Sequence, residues 1–190
     1  MKVGVLAVQG AFIEHINMLK QLHVETVEIR KKEDLEQKFD GLILPGGEST
    51  TMAKLLHDLE LFEPLKQWIA EGFPVFGTCA GMILLAKQIE PDASVHFGTI
   101  DVCVVRNAYG RQLGSFHVVS DFGDNPDIEM PFIRAPYIKT ADQNVQILSV
   151  VDSKIVAARQ DNQLVTAFHP ELTQNVNVHK YFLNMIHAAK

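Results

Sequence analysis

Phe76-Gly77-Thr78-Cys79-Ala80-Gly81 confines the chain to few folds, because it turns an apolar strand into a helix within a few residues. Pro74-Val75-Phe76 is short and apolar like a buried parallel strand, and Met82 to Lys87 is built of good helix formers. The turn between them must be sharp. Gly77 and Gly81 fit a G-x-nucleophile-x-G pattern, in which glycines let the backbone bend and pack closely and leave the central side chain exposed at a helix N-terminus. There the helix dipole favours a thiolate, a form that a free cysteine, with pKa about 8.5, mostly lacks at neutral pH. The alternative for Cys79 is a buried structural cysteine.

The chain leading to this elbow reads as alternating strands and helices. Lys2 to Val8 is a central strand, and Phe12, Ile16 and Leu19 then recur at helical spacing. Val24 to Ile29 alternates as a strand does, and Gly41 to Leu44 is a third strand stopped by Pro45-Gly46-Gly47. Thr50 to Leu61 and Glu63 to Ala70 are predicted helices, so the nucleophile follows the fourth strand. This alternation implies a parallel sheet covered on both faces. After Phe97 the pattern changes to short strand-like runs, at Thr99 to Arg106, Gly114 to Val119, Val145 to Val151, Lys154 to Arg159 and Leu164 to Phe168. Ser120 to Pro131, acidic and rich in Gly, Asp and Pro, reads as a surface loop. A last helix follows Pro170, with Val178, Phe182, Met185, Ile186 and Ala189 on one core-facing stripe.

Bulk properties narrow the class. With 190 residues, 47% of them hydrophobic, the chain can bury a sizeable core and is expected to form one domain over residues 1–190. A net charge of -6 without any basic run makes nucleic acid an unsuitable partner. Two cysteines, Cys79 and Cys103, form no CxxC pattern, which suits a reducing cytoplasm. No apolar run approaches the roughly 18 residues that span a bilayer, so neither a membrane anchor nor a signal peptide is expected.

The residues that could act with Cys79 lie near the end of the chain. His169-Pro170-Glu171 follows a strand, and a residue before proline is driven toward the extended form, which would put His169 and Glu171 on one side of the backbone. Glu171 could then orient the imidazole, giving a Cys79-His169-Glu171 triad in which the histidine takes the thiol proton. The bland reading of His169 is a loop histidine. The other seven histidines show no ligand spacing, so no metal site is assigned. Pro45 to Thr51 lies between a strand and a helix and lacks the Walker A pattern. Its backbone could form an oxyanion site, with the N–H groups of Gly47 and Ala80 as donors, or it could simply cap a helix through Glu48 or Ser49. Arg106 and Arg134 sit at strand ends, where they could meet a charged substrate or stand solvated. The order histidine then acid departs from the acid then histidine of α/β-hydrolases.

Together these residues resemble the triad, or class I, glutamine amidotransferases. The blocks Val8-Gln9-Gly10, Leu44 to Thr51, Phe76 to Gly81, Arg106 to Gln112, Phe132 to Pro136 and Phe168 to Thr173 more narrowly resemble the glutaminase subunits of pyridoxal 5'-phosphate synthase. Gly-Gly-Glu-Ser is specific to that subfamily. Tyr109, where Phe is common, and Met82, in place of another aliphatic residue, are small departures. The resemblance covers essentially the whole chain and implies a flavodoxin-like, three-layer α/β/α sandwich with a mostly parallel central sheet. It further implies that Gly47, Glu48, Ser49, Arg106, Ile133 and Arg134 hold L-glutamine, that a glutamyl thioester forms on Cys79, and that ammonia passes to a separate synthase subunit. No cofactor is implied. Gln9 and the first helix are candidate contacts with that subunit. The competing readings are a glutaminase serving another synthase and a non-catalytic interaction subunit.

Overall fold

The computed structural model of the chain describes all residues except Ala93, 107–114 and Lys190. Its first half alternates strand and helix as expected: β1 (Lys2–Leu6), α1 (Phe12–Gln21), β2 (Glu25–Ile29), β3 (Gly41–Leu44), α2 (Ser49–Asp58), α3 (Phe62–Ala70), β4 (Val75–Thr78) and α4 (Ala80–Leu85). The second half adds β5 (Ala86–Glu90), β6 (Ile100–Val105), β7 (Ser115–Phe122), β8 (Asn125–Ile133), β9 (Tyr137–Ala141), β10 (Gln146–Val151), β11 (Lys154–Gln160), β12 (Gln163–Thr166) and α5 (Asn177–Ala188).

Strands β2-β1-β3-β4-β12 form a wholly parallel half-sheet, which β11, β9, β6 and β5 extend and to which β10 adds by pairing with β11. Every residue of β3, β4 and β12 is buried, which is why their centres, Leu42-Ile43-Leu44, Val75-Phe76 and Leu164-Val165, are apolar. At the edge, β2 alternates buried with exposed positions. The two covering layers can be read from one strand. Phe76 packs against Phe182 of α5 and His15 of α1, whereas a Cβ on the next residue, Gly77, would meet Leu85 of α4 at 2.9 Å. Successive strand residues face opposite sides, so α1 and α5 cover one face and α4, with α2 and α3 packed beside it, the other.

The structure departs from the sequence-based expectation at several elements, and Ala189, expected on the core-facing stripe, is exposed just past the end of α5. The helix after Cys79 ends at Leu85, because Ala86 is extended and Ala86–Glu90 pairs with β6. The stretch 120–131 is not a surface loop: β7 and β8 form an antiparallel hairpin turning at Gly123. The reason is that Ile128, Met130 and Phe132 alternate with more exposed residues and put their side chains into the core, which outweighs the acidic composition around them. β9 had no clear signal. Of the expected strand Gly114 to Val119, Gly114 lies outside the described residues, as do Tyr109 and the remainder of 107–112.

Candidate active site

The C-terminal ends of four adjacent parallel strands converge on one cleft. β1 leads to Gln9-Gly10, β3 to Gly46-Gly47-Glu48, β4 to Cys79 and β12 to His169, and open α/β sheets place their ligand sites at this end of the strands. The cleft holds about 510 Å³ and includes Gly47, Glu48, Ser49, Cys79, Arg106, Ile133, Arg134 and His169 in its lining. A larger cavity of about 690 Å³ lies at the opposite ends of the strands, near Phe39, Trp68 and Phe73, and brings neither cysteine nor histidine to its wall.

Cys79 itself takes the strained conformation, with φ 47° and ψ -98°, in place of either flanking glycine. The glycines instead permit close approach. A Cβ on Gly77 would lie 2.6 Å from the backbone of Gly81, and one on Gly81 would lie 2.1 Å from Leu44 O. The elbow is pinned by Cys79 N–H donating to Thr166 O at 2.8 Å. Cys79 is only 7% exposed.

His169 and Glu171 meet as expected but by another route. Pro170 opens a 3-10 turn over Pro170–Leu172, and this turn, not an extended chain, brings the carboxylate back to the ring. His169 Nδ1 lies 2.8 Å from Glu171 Oε1, both groups buried. The other ring nitrogen is left for Cys79, which stands beside the ring: a Cβ on Gly46 would lie 2.3 Å from His169 Cε1 and 3.4 Å from Cys79 Cβ. Burial works against charge on this ring, but the neighbouring Cys79 and the hydrogen-bonded Glu171 carboxylate prevail, pushing His169 up to about 10.

The helix-capping alternative for Glu48 is realised: its carboxylate accepts the backbone N–H groups of Thr50 and Thr51 at the start of α2. The Thr50 hydroxyl first, then the Thr51 hydroxyl and the two backbone groups, hold this carboxyl down to about 2 against the opposing effect of burial. Arg106 stands 3.5 Å from Glu48 Oε1 and 2.8 Å from Asp92 Oδ2, so the arginine is anchored at the cleft wall. Gly47 lines the cleft, and Ala80 is buried in the first turn of α4 beside Cys79. Ile133 and Arg134 close the far side at the end of β8, with Arg134 at φ 45°. Two strained residues in one cleft mark a functional region.

Sequence reasoning missed Gly46, where a Cβ would strike His169 Cε1 at 2.3 Å. Gln9, read as a partner contact, turns its Oε1 onto the N–H of Glu48 at 2.9 Å. The signal for both was the pair of glycine turns after β1 and β3, which approach closely where Ala11 N–H donates to Gly46 O at 2.9 Å.

A doubly wound α/β sheet with a cysteine on a strained elbow beside a carboxylate-held histidine is the arrangement of a thiol-dependent acyl-transfer class. The chain belongs to the SNO glutamine amidotransferase family, whose family model matches residues 5–188. Among curated proteins it is 60% identical over 186 residues to the pyridoxal 5'-phosphate synthase subunit PdxT of Methanocorpusculum labreanum, covering 98% of each chain. It is 54% identical over 192 residues to the protein of that name from Haemophilus influenzae, covering both in full. A crystal structure of a glutamine amidotransferase superposes with a TM-score of 0.92 at 41% identity, covering 97% of this chain and 98% of that one. A chain in the structure of PurLQS from Thermotoga maritima shares the fold alone, with a TM-score of 0.66 at 15% identity over 96% of this chain and 97% of that one.

Proposed function

We propose that this chain, as one domain over residues 1–190, hydrolyses L-glutamine to L-glutamate and ammonia and delivers the ammonia to a separate synthase subunit that makes pyridoxal 5'-phosphate. The observation that carries this reading is the buried His169–Glu171 pair against Cys79, in a cleft lined by Gly47, Glu48, Ser49, Arg106, Ile133 and Arg134. Membership of the amidotransferase family supplies the substrate class, and the names of the relatives supply the synthase. The absence of any helix long and apolar enough to cross a membrane among the described residues is compatible with a cytoplasmic setting.

In the reaction, Cys79 Sγ attacks the side-chain amide carbon of glutamine while the proton is held on His169 Nε2, whose ring is charged at neutral pH. Glu171 holds Nδ1–H and stabilises the charged ring. The oxyanion is held by the N–H groups of Gly47 and Ala80. His169 returns the proton to the departing nitrogen, the C–N bond breaks, and ammonia leaves a glutamyl thioester. Water, deprotonated by His169, attacks the thioester, the C–S bond breaks, and glutamate leaves with the proton back on His169. Arg106 and Arg134 face the charged end of the substrate.

The test is glutamate release from glutamine by the purified chain, alone and with a pyridoxal 5'-phosphate synthase subunit. Release is expected to rise with the subunit and to vanish in Cys79→Ala, which still binds it. Undiminished hydrolysis in that variant overturns the triad, and no release by the wild type in a confirmed complex favours a non-catalytic subunit.

A further inference from the structure

Two buried histidines that the reaction does not use stand behind Glu171. Resting on the glutaminase reading, we infer that His15 is a positioning residue for Glu171, presenting its Nε2–H to the carboxylate oxygen that His169 does not bind, and that His179 fixes His15 in that tautomer.

His15 of α1 and His179 of α5 have no exposed surface. His15 Nδ1 lies 2.9 Å from His179 Nε2, and His15 Nε2 lies 3.2 Å from Thr78 Oγ1 and 3.5 Å from Glu171 Oε2. Among the described residues, Glu171 Oε2 and His179 Nδ1 are the buried side-chain atoms without a hydrogen-bond partner. Both rings are neutral: burial, then the neighbouring His179 and His169, keeps His15 far below its ordinary value, and burial takes His179 down to about 3. The titratable groups facing His15 are therefore His179 from α5 and His169 and Glu171 from the turn after β12.

A neutral imidazole carries one N–H and one lone pair, so the contact between the rings admits two arrangements. If His15 donates from Nδ1, its Nε2 lone pair accepts from the Thr78 hydroxyl and lies 3.5 Å from a carboxylate oxygen, and His179 keeps a buried N–H with no acceptor. The orphaned N–H is the decisive cost. If His179 donates from Nε2, His15 carries its proton on Nε2, toward Thr78 Oγ1 and Glu171 Oε2, and only a lone pair on His179 is left over. A buried orphan N–H is the rarer and costlier defect, so the second arrangement is selected. The carboxylate of Glu171 is then hydrogen-bonded to His169 at Oε1, while its Oε2 faces, across 3.5 Å, the His15 Nε2–H that also meets Thr78 Oγ1. The 3.5 Å separation is long, and such contacts in a free enzyme tighten in the substrate complex. Outer partners of this kind keep an acid in the plane of its histidine.

The experiment combines kinetics of the glutaminase in complex with its synthase subunit and ¹⁵N-histidine NMR of the full chain. His15→Leu is expected to lower kcat about tenfold with little change in KM, the value of one hydrogen bond to a charged group. His15→Gln, whose amide can reach the place of Nε2–H, is expected to recover most of that loss, while thermal melting shows both variants folded. NMR is expected to find wild-type His15 protonated at Nε2 and bare at Nδ1. The opposite tautomer overturns the proposal whatever the activity. Equal kcat in His15→Leu, His15→Gln and wild type, or equal loss in both variants, also overturns it, since a packing role does not distinguish an amide donor from a methyl. A wild-type complex that releases no glutamate strikes the glutaminase reading instead, and the tautomer then still decides where His15 directs its proton.

Discussion

Cys79 sits in a backbone conformation that costs a non-glycine residue on the order of 1–3 kcal/mol, and its neighbours hold it there. The N–H bond to Thr166 O and the 3.2 Å bond from Ile83 N–H to Cys79 O brace both sides of the residue. Gly46 has a matching role for His169, since its missing side chain is the space the imidazole occupies. Gly46→Ala is therefore expected to displace the ring and lower kcat roughly a hundredfold, the usual cost of misplacing a reacting group by about 1 Å. Thermal melting should fall as well, because His169 is buried and its displacement breaks the bond to Glu171. Comparing kcat and melting temperature in one preparation checks this. Gly77 and Gly81 were legible from the spacing around Cys79. The need for Gly46 was not, because it depends on a histidine far along the chain.

At the level of elements, the cleft is framed by the start of α2 and the end of the β7–β8 hairpin. Glu48→Ala removes the cap of α2 and should cost about 1 kcal/mol of stability near pH 7. The folded-state carboxyl is depressed from 4.5 to about 2, so its contribution is present above pH 4.5 and is lost as pH falls through about 2. Urea denaturation at several pH values should accordingly find wild type and variant converging in acid. The hairpin is fastened to the core by Phe132, whose ring meets Phe168 edge-on at 5.9 Å, and to the turn after β12 by His169 N–H donating to Pro131 O at 2.8 Å. Phe132→Ala is expected to cost about 3 kcal/mol and to raise KM more than it lowers kcat, because Ile133 and Arg134 follow it directly. Steady-state kinetics and denaturation separate the two effects. Composition hid this hairpin, since Asp, Gly and Pro mark turns while the alternating Ile128, Met130 and Phe132 mark a strand. Burial of the apolar face decided between them.

On the scale of the molecule, β12 returns from the end of the chain to lie beside β4, and this single parallel pairing sets His169 opposite Cys79. If the chain serves only to supply ammonia, a complex of Cys79→Ala with the synthase subunit should make pyridoxal 5'-phosphate from ammonium salts but not from glutamine. Product formation with each nitrogen source, followed by absorbance, tests it. Failure with both sources would mean that Cys79 is needed for assembly as well as for chemistry. The amino-acid sequence by itself determined the parallel half of the sheet, the elbow at Cys79, the His-Pro-Glu terminus and the glycine turn at Gly46-Gly47, because each is written in local spacing, apolar runs and turn residues. Only the tertiary structure decided the antiparallel extension, the 3-10 turn that closes Glu171 on His169, the strain on Cys79 and the histidine pair behind the carboxylate. These depend on which strands and helices become neighbours in space, and that is settled by burying apolar faces together from distant parts of the chain.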